Sequence, residues 1–482
     1  MKRIAIIGGG ISGLAAAFAL ENSRQDGAPL EYVLYESSAR LGGVLVTEHV
    51  DGCLIEAGPD SFLTEKPWAT DLCREIGLEN QLIGSNDPDR KTYILVKGKL
   101  VEIPDGLLFM VPTKILPTVF SPLFSTRTKL RMAQEWFHPP HRANGDESVA
   151  SMVERHYGAE MVDRLADPLL SGVYGGEASQ LSVRAVLPRF AEMEAKSGSL
   201  GRAMLAARRK MPPSANGPRP LFTSLKDGMQ QMIDVLLSRL TSSALRTNAP
   251  VQSLQPQDGS WLVSAGYASD EFDAVIVATP AHIASRLVQM SSSPLAAELR
   301  GIDYTSSITI NLAYDQRVRS ALPPGFGFLV PRSEGRRMLA ATFVHNKFPH
   351  RAPPDRALLR CFIGGARSED VLQLPDEQIL HIVQLELRQI IGLTADPLFA
   401  RLYRWKSAMA QYGVGHLERL QRIDNLLSQI PGLALAGNGY RGIGVPDCIR
   451  SGGVAVAKAL AAIGLAEAAS PASALSGSKL LP

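Results

Sequence analysis

Ile4-Ala5-Ile6-Ile7-Gly8-Gly9-Gly10-Ile11-Ser12-Gly13-Leu14 opens the stretch that decides the fold, and an Ala-rich run to Glu21 completes it. The first four residues are apolar and rich in β-branched side chains, which predicts a short buried strand. Gly8, Gly10 and Gly13 follow in G-x-G-x-x-G spacing. Residues 14–21 are expected to be helical, and residues 32–35 to form a second strand that ends on an acid, Glu36. In this order each residue has a task. Gly8 permits the tight turn, Gly10 lets a pyrophosphate approach the backbone, and Gly13 lets helix and strand pack closely. The unpaired N–H groups at the helix start attract phosphate charge. Glu36 follows Gly13 at about the 20-residue offset at which an acid accepts hydrogen bonds from ribose hydroxyls. An acid there also argues against a 2′-phosphorylated dinucleotide. The expected class is α/β with a Rossmann-like dinucleotide-binding domain. The motif alone leaves NAD and FAD open.

At 482 residues the chain exceeds one simple core, so two or three domains are expected. Apolar residues make up 45% and charged residues 20%, as in a globular protein. Fifty basic and 47 acidic residues leave a net charge of +3, too small to call for nucleic acid. Cys53, Cys73, Cys361 and Cys448 are scattered, which predicts neither a disulfide framework nor a zinc site. The expected compartment is the reducing cytoplasm. Lys2 and Arg3 before an apolar run imitate a signal peptide, but the three glycines interrupt it, so export is not expected.

Further along, residues 68–76 are expected to be helical, and residues 90–96 lead through Lys97-Gly98-Lys99 into a returning strand at 100–103. Residues 107–124 are the most apolar long stretch. Pro112, Lys114, Pro117 and Pro122 interrupt them, and a membrane span needs about 20 unbroken apolar residues. Arg127, Lys129, Arg131, Trp136 and Phe137 come next. This pattern fits shallow contact with an anionic membrane surface, peripheral to the inner face of the cell membrane, and equally a helical core capped by solvated charge. Residues 147–158 read as a helix, and Ser171-Gly172-Val173-Tyr174-Gly175-Gly176 as a glycine-rich turn. Residues 212–220 are polar and Pro-rich and read as an inter-domain connection. A helix is expected at 228–240, and paired strands at 251–254 and 261–263. A buried strand at 273–280 should rejoin the first sheet. Strands at 304–314 and 358–363 should share a second sheet, and a helix is expected at 378–391. Near the end, a strand at 433–436, a glycine loop at 437–444 and a helix at 445–462 repeat the strand–loop–helix design of the N-terminus. The Ala/Ser-rich tail from 470 to 482 is expected to be mobile.

Arg40-Leu41-Gly42-Gly43, directly after the second strand, resembles the R-x-G-G element of the flavin-dependent amine oxidase superfamily, which favours FAD. Four segments together resemble the protoporphyrinogen oxidase and coproporphyrinogen III oxidase family. They are the N-terminal fingerprint through Gly43; Gly58-Pro59-Asp60-Ser61; Ser171 to Gly176; and Gln411-Tyr412-x-x-Gly415-His416 with the run from Gly437 to Asp447. Ala410 stands where the family usually has Pro, and Gly439 where it often has Ala.

The resemblance implies non-covalent FAD. Its diphosphate would lie on Gly8, Gly9, Gly10, Ile11, Ser12 and Gly13, and its adenosine ribose on Glu36 and Ser37. Arg40, Gly42, Gly43 and Val44 would follow the ribityl chain, and Gly58, Pro59, Asp60 and Ser61 would lie near the isoalloxazine. Val251 would meet the adenine, while Trp405, Val445, Pro446 and Asp447 would close over the flavin. It also implies an FAD-binding domain of the GR2 flavoprotein type in three parts, 1–75, 221–300 and 405–469. An α+β substrate domain would take 76–105 and 301–404, and a mainly helical, membrane-facing insertion 106–210.

The implied reaction converts a porphyrinogen to the porphyrin in haem biosynthesis by three two-electron oxidations, with oxygen as acceptor and hydrogen peroxide as product. Either protoporphyrinogen IX or coproporphyrinogen III would serve. Anionic propionates call for cations, and Arg90 and Lys91 are the candidates; an ungapped match instead puts Thr92 at the plant enzymes' arginine position. Gly175 and Gly176 would let the macrocycle lie against bare backbone. No catalytic side chain or metal is called for, since the cofactor carries the redox step. A homodimer is compatible with the reading. An amine or carotenoid oxidase of the same superfamily and a non-catalytic flavin-bound scaffold are the alternatives.

Overall fold

The N-terminal apolar run forms the strand Lys2–Ile7, the centre of a five-stranded sheet. Leu30–Tyr35 and Ala274–Val277 flank it, with Leu245–Arg246 and Leu433–Leu435 at the edges, all parallel. Ile4, Ala5 and Ile6 are fully buried, as expected of a parallel strand covered on both faces. Ile4 and Ile6 point into a core built with the helices Ile11–Gln25 and Val445–Ala462. Ala5 and Ile7 point the other way, against a three-stranded antiparallel layer, Val251–Gln257, Ser260–Ala265 and Ala268–Phe272, and the helix His416–Leu427. The computed structural model describes residues 1–141, 145–210 and 219–466. Most of the expected connection at 212–220 and all of the expected tail at 470–482 lie outside the described residues.

A seven-stranded sheet forms the second layer, with Tyr304–Asp315 between Phe399–Ala410 and Arg356–Gly364. Met338–Phe343, Gly327–Leu329, Thr92–Val96 and Lys99–Glu102 complete it. Tyr304–Asp315 alternates because one face is covered by a helix. Ile308, Ile310 and Leu312 pack with Ile379, Val383 and Leu387 of Asp376–Ile391, whereas Asn311 faces the first domain. The hairpin and strand pairings expected at 90–103 and between 304–314 and 358–363 are present.

Residues 106–210 carry short helices, among them Ile115–Phe120, Thr126–Glu135, Val149–Tyr157, Asp167–Tyr174 and Leu200–Lys210. Their own core includes Met152, Val153, Tyr157 and Leu165. The glycine-rich turn expected at Ser171–Gly176 is corrected: Ser171 to Tyr174 are the last turn of a helix, and Gly175 is its left-handed cap at φ +61°. A single Gly172 does not interrupt a helix that starts well before it. No helix among the described residues is long and apolar enough to cross a membrane.

Candidate functional site

The site begins where Gly10 caps the helix Ile11–Gln25. No side chain caps this helix start and no acid lies in its first turn, so its first N–H groups are available to an anion. Gly8 takes φ +109°, which an L side chain rarely adopts. A Cβ on Gly13 would stand 1.9 Å from the Gly8 carbonyl oxygen, so turn and helix touch through bare backbone. Beside Gly10 there is nothing within 4 Å of where a Cβ would be. The backbone at this helix start is therefore open on the side that a phosphate approaches.

Glu36 closes the turn. Its carboxylate accepts from Gly9 N at 2.8 Å, from Ser38 N at 2.8 Å and from Ser37 Oγ at 3.1 Å. Burial acts to raise its pKa, but these donors outweigh it and hold the group below the usual carboxylate range. Ala249 N donates to the Glu36 carbonyl at 2.8 Å, which brings half-buried Val251 to the same corner.

From Gly10 a line of backbone leads away from the helix. A Cβ on Gly43 would stand 3.2 Å from Gly10 Cα, and one on Gly58 would stand 1.9 Å from the Val44 carbonyl oxygen. Arg40 organises this line, donating to the carbonyls of Leu41 at 2.9 Å, Gly43, and Leu45 at 3.1 Å. The Gly42 amide donates to the Gly9 carbonyl at 2.7 Å. Gly8 to Gly13, Glu36, Arg40 to Val44 and Gly58 thus form one continuous surface.

At its far end the segment from Glu56 to Ser61 is held from beneath by the second sheet. Trp405 Nε1 donates to the Ala57 carbonyl at 2.9 Å, Asn311 Nδ2 to the Glu56 carbonyl at 3.3 Å, and Arg360 Nη2 to the Gly58 carbonyl. Asp60 lies 2.9 Å from Lys347 Nζ and 3.7 Å from Arg360 Nη1. Burial acts to raise its pKa, yet Lys347, Arg360 and Arg351 hold it well below the usual carboxylate range.

The second glycine loop arrives beside the first. A Cβ on Gly452 would stand 2.4 Å from the Ser12 carbonyl oxygen, so the two helices touch through backbone. Asp447 in the first turn of Val445–Ala462 pairs with Lys66 at 2.6 Å and accepts from Gly444 N at 3.3 Å. The Gly442 amide donates to Tyr412 Oη at 2.7 Å, and Tyr412 Oη donates to the Asn438 carbonyl at 2.7 Å. Tyr412 stacks on His416 at 4.1 Å, and His416 Nε2 meets the Tyr440 carbonyl at 2.9 Å. Gln411 Nε2 donates to the Tyr174 carbonyl at 2.6 Å. The Gln411-Tyr412 and Gly437-to-Asp447 segments are therefore one network, sewn to the helical insertion at Tyr174.

The four residues singled out for substrate stand apart from the cofactor line. Arg90 pairs with Asp87 at 3.5 Å and Lys91 with Glu102 at 3.3 Å, both partly exposed. The space beside Gly175 and Gly176 is filled by protein. A Cβ on Gly175 would meet Thr305 Oγ1 at 2.9 Å, and one on Gly176 would meet Gln411 Oε1 at 2.1 Å. Sequence reading missed Asn311, Lys347, Arg351 and Arg360. One signal was present: Arg360 interrupts the apolar run Leu358-Leu359-Arg360-Cys361, where a buried charge requires a partner.

Among the described residues no group of His, Cys, Asp and Glu is placed to hold a metal, and the four cysteines are free and buried. The open helix start, the acid at the second strand and the long backbone line fit a dinucleotide cofactor. Comparison with known proteins agrees. Residues 11–460 match the family described as flavin containing amine oxidoreductase. A Bacillus subtilis protein named coproporphyrinogen III oxidase is 33% identical over 95% of this chain and 98% of its own length. The Arabidopsis thaliana chloroplastic protoporphyrinogen oxidase 1 is 30% identical over 92% of this chain and 85% of its own. A solved structure from Exiguobacterium superimposes with a TM-score of 0.84 at 31% identity, covering 97% of this chain and 99% of that one. The chain belongs to the flavin containing amine oxidoreductases, and its cofactor is FAD.

Proposed function

We propose that this chain oxidises a porphyrinogen to the corresponding porphyrin in haem biosynthesis, with coproporphyrinogen III as the favoured substrate. The observation that carries the reading is identity near one third, over nearly the full length of both chains, to a relative bearing that name. Bound FAD supplies two-electron oxidation, with oxygen as the final acceptor. Three rounds remove six hydrogens from the macrocycle and convert three oxygen molecules to three hydrogen peroxides.

The chain's own residues bind and orient. Gly8, Gly9, Gly10, Ile11, Ser12 and Gly13 hold the diphosphate against the helix start, and Glu36 with Ser37 takes the ribose. Val251 meets the adenine. Arg40 fixes the loop through Gly42, Gly43 and Val44 along which the ribityl chain runs. Gly58, Pro59, Asp60 and Ser61, pinned by Trp405 and Arg360, form the wall at the ring end, while Val445, Pro446 and Asp447 close it from the second helix start. Arg90 and Lys91 remain the cations for propionates in this reading. Their ion pairs are partly exposed and worth under about 1 kcal/mol each, so an incoming carboxylate can compete.

The insertion supplies a membrane contact in the same proposal. Ile115, Leu116 and Phe120 are 72%, 70% and 81% exposed on one short helix, and exposed Phe137 and Arg127 lie nearby in sequence. Apolar side chains beside cations fit an anionic bilayer surface.

Aerobic assay of the purified yellow protein with each porphyrinogen in turn tests the reading. Porphyrin fluorescence should rise above a no-enzyme control, most steeply with coproporphyrinogen III. No rise with either substrate, from protein that holds FAD, would sink it.

A further inference from the structure

Behind the turn at Gly58–Ser61 three buried cations face the buried Glu56 and the partly buried Asp60. Lys347 Nζ lies 2.9 Å and 3.1 Å from the two Asp60 carboxylate oxygens and 3.1 Å from Ser61 Oγ. Arg351 Nη2 donates to Glu56 Oε1 at 3.1 Å, to the Asp60 carbonyl at 2.9 Å and to Ser224 Oγ at 2.6 Å. Arg360 pairs with Asp60 and holds the Gly58 carbonyl. The side chains of Lys347, Arg351 and Arg360 are only 11%, 1% and 6% exposed.

The cluster holds more donors than acceptors. Arg351 Nε and Nη1 and Arg360 Nε are buried without a hydrogen-bond partner among the described residues. With all five groups ionised, three positive and two negative charges leave a surplus of one positive charge. Aromatic walls keep the surroundings of low polarity: Lys347 Nζ is 4.5 Å from the Phe222 ring centre, and the Arg351 guanidinium is 4.5 Å from that of Phe348. A surplus charge here is poorly screened and acts over several ångströms. A buried charge surplus with orphaned donors is costly to fold, so it calls for a role beyond holding the turn in place.

We propose that Lys347, held by Asp60, sets the electron affinity of the bound flavin. The surplus positive charge beside the ring wall stabilises negative charge on the flavin, and so favours its two-electron-reduced, anionic form. This rests on the reading that the ring end of FAD lies against Gly58–Ser61. Lys347 tunes and does not react: no proton or electron passes through it.

Sulfite is a suitable probe, because it adds to oxidised flavin through its sulfur lone pair and leaves an anionic adduct without any external oxidant or reductant. FAD-loaded wild type, Lys347→Met, Lys347→Arg and Asp60→Asn are titrated with sulfite, and loss of the yellow absorbance is followed. Lys347→Met should weaken sulfite binding by about tenfold, the scale of one unit charge acting through protein. Lys347→Arg should restore most of that loss. Asp60→Asn, which enlarges the surplus, should tighten binding. The midpoint potential of the flavin should move in step, more negative in Lys347→Met and more positive in Asp60→Asn. Equal sulfite affinity across the variants, or shifts of the same sign in Lys347→Met and Asp60→Asn, would overturn the proposal. Where Lys347→Met fails to retain FAD, the sign of the Asp60→Asn shift decides alone. A wild-type chain that holds no FAD would overturn the underlying reading of the site instead.

Discussion

Beneath Gly58–Ser61, Lys347, Arg351 and Arg360 outnumber Asp60 and Glu56, whereas in the helical insertion Glu135, Glu147 and Glu194 outnumber Arg155 and His156. In the insertion, His156 stands between Glu135 at 3.2 Å and Glu194 at 2.9 Å, and its ring stacks on His138 at 4.8 Å. Glu135 also accepts from the Leu200 amide at 2.5 Å and from Ser199 Oγ at 3.0 Å, so it ties one helix to the start of another. The cationic cluster contains no histidine. The acidic one contains a histidine held between two buried carboxylates. In the proposal above, the first arrangement supplies a positive field to the flavin. The second ties helices of the insertion to one another through a histidine–carboxylate contact.

Arg351 carries the largest expected effect. Arg351→Met leaves Glu56 buried beside Met229 N and Thr47 without its cation, and should cost about 3–5 kcal/mol, read by chemical denaturation. A loss under about 1 kcal/mol would mean that the pair is not coupled to the fold. His156→Gln should cost less, roughly 2 kcal/mol, because Gln keeps some hydrogen bonding while Glu135 and Glu194 lose the charge between them. It should raise proteolytic nicking within 145–210 and leave sulfite affinity of the flavin unmoved. A change in that affinity would join two regions held here to be independent.

The pH dependence sharpens the contrast. Burial opposes charge on His156, but Glu135 and Glu194 outweigh it and raise its pKa above the ordinary 6.5. The stability it contributes is therefore complete below about 6.5 and is lost as pH rises through the higher folded value. Glu135 and Glu194 are held below the ordinary 4.5 by His156, Arg155 and backbone or hydroxyl donors, against burial. Their contribution is present above about 4.5 and is lost as pH falls through the lower folded values. His138, lowered by burial and by the His156 charge, acts in the opposite sense to His156 at lower pH. Hydrogen-exchange protection of Val149–Tyr157 should fall from pH 6 to pH 9, corrected for intrinsic rates, and should flatten in His156→Gln. A wild-type profile as flat as the variant's would contradict this role of His156.

The smallest expected effects are at the surface. Lys91→Gln should change stability by under about 1 kcal/mol. If Lys91 meets a propionate, KM should rise with kcat unchanged; an unaltered KM removes it from the substrate site.

The central sheet was legible because its strands are short, apolar and bounded by glycines, and because Gly8 to Gly13 and Glu36 carry their spacing in a contiguous stretch. The C-terminal helix Val445–Ala462 was legible for the same reason. Lys347 and Arg360 were not, because their partner Asp60 is almost 300 residues away and only the folded sheet brings them together. The packing around Gly175 and Gly176 was illegible for a related cause. Gly175 and Gly176 accommodate Thr305, Met409 and Gln411, contacts that no local pattern reveals. The exposed apolar face at Ile115, Leu116 and Phe120 was visible as composition, while its exposure needed the fold.

The most direct test mixes FAD-loaded protein with coproporphyrinogen III under strictly anaerobic conditions and follows flavin and porphyrin absorbance together. The yellow flavin colour should bleach, with oxidation equivalents appearing in the tetrapyrrole in step, and readmitted oxygen should restore the colour with release of hydrogen peroxide. A flavin that stays oxidised in the presence of either coproporphyrinogen III or protoporphyrinogen IX would contradict porphyrinogen oxidation by this chain.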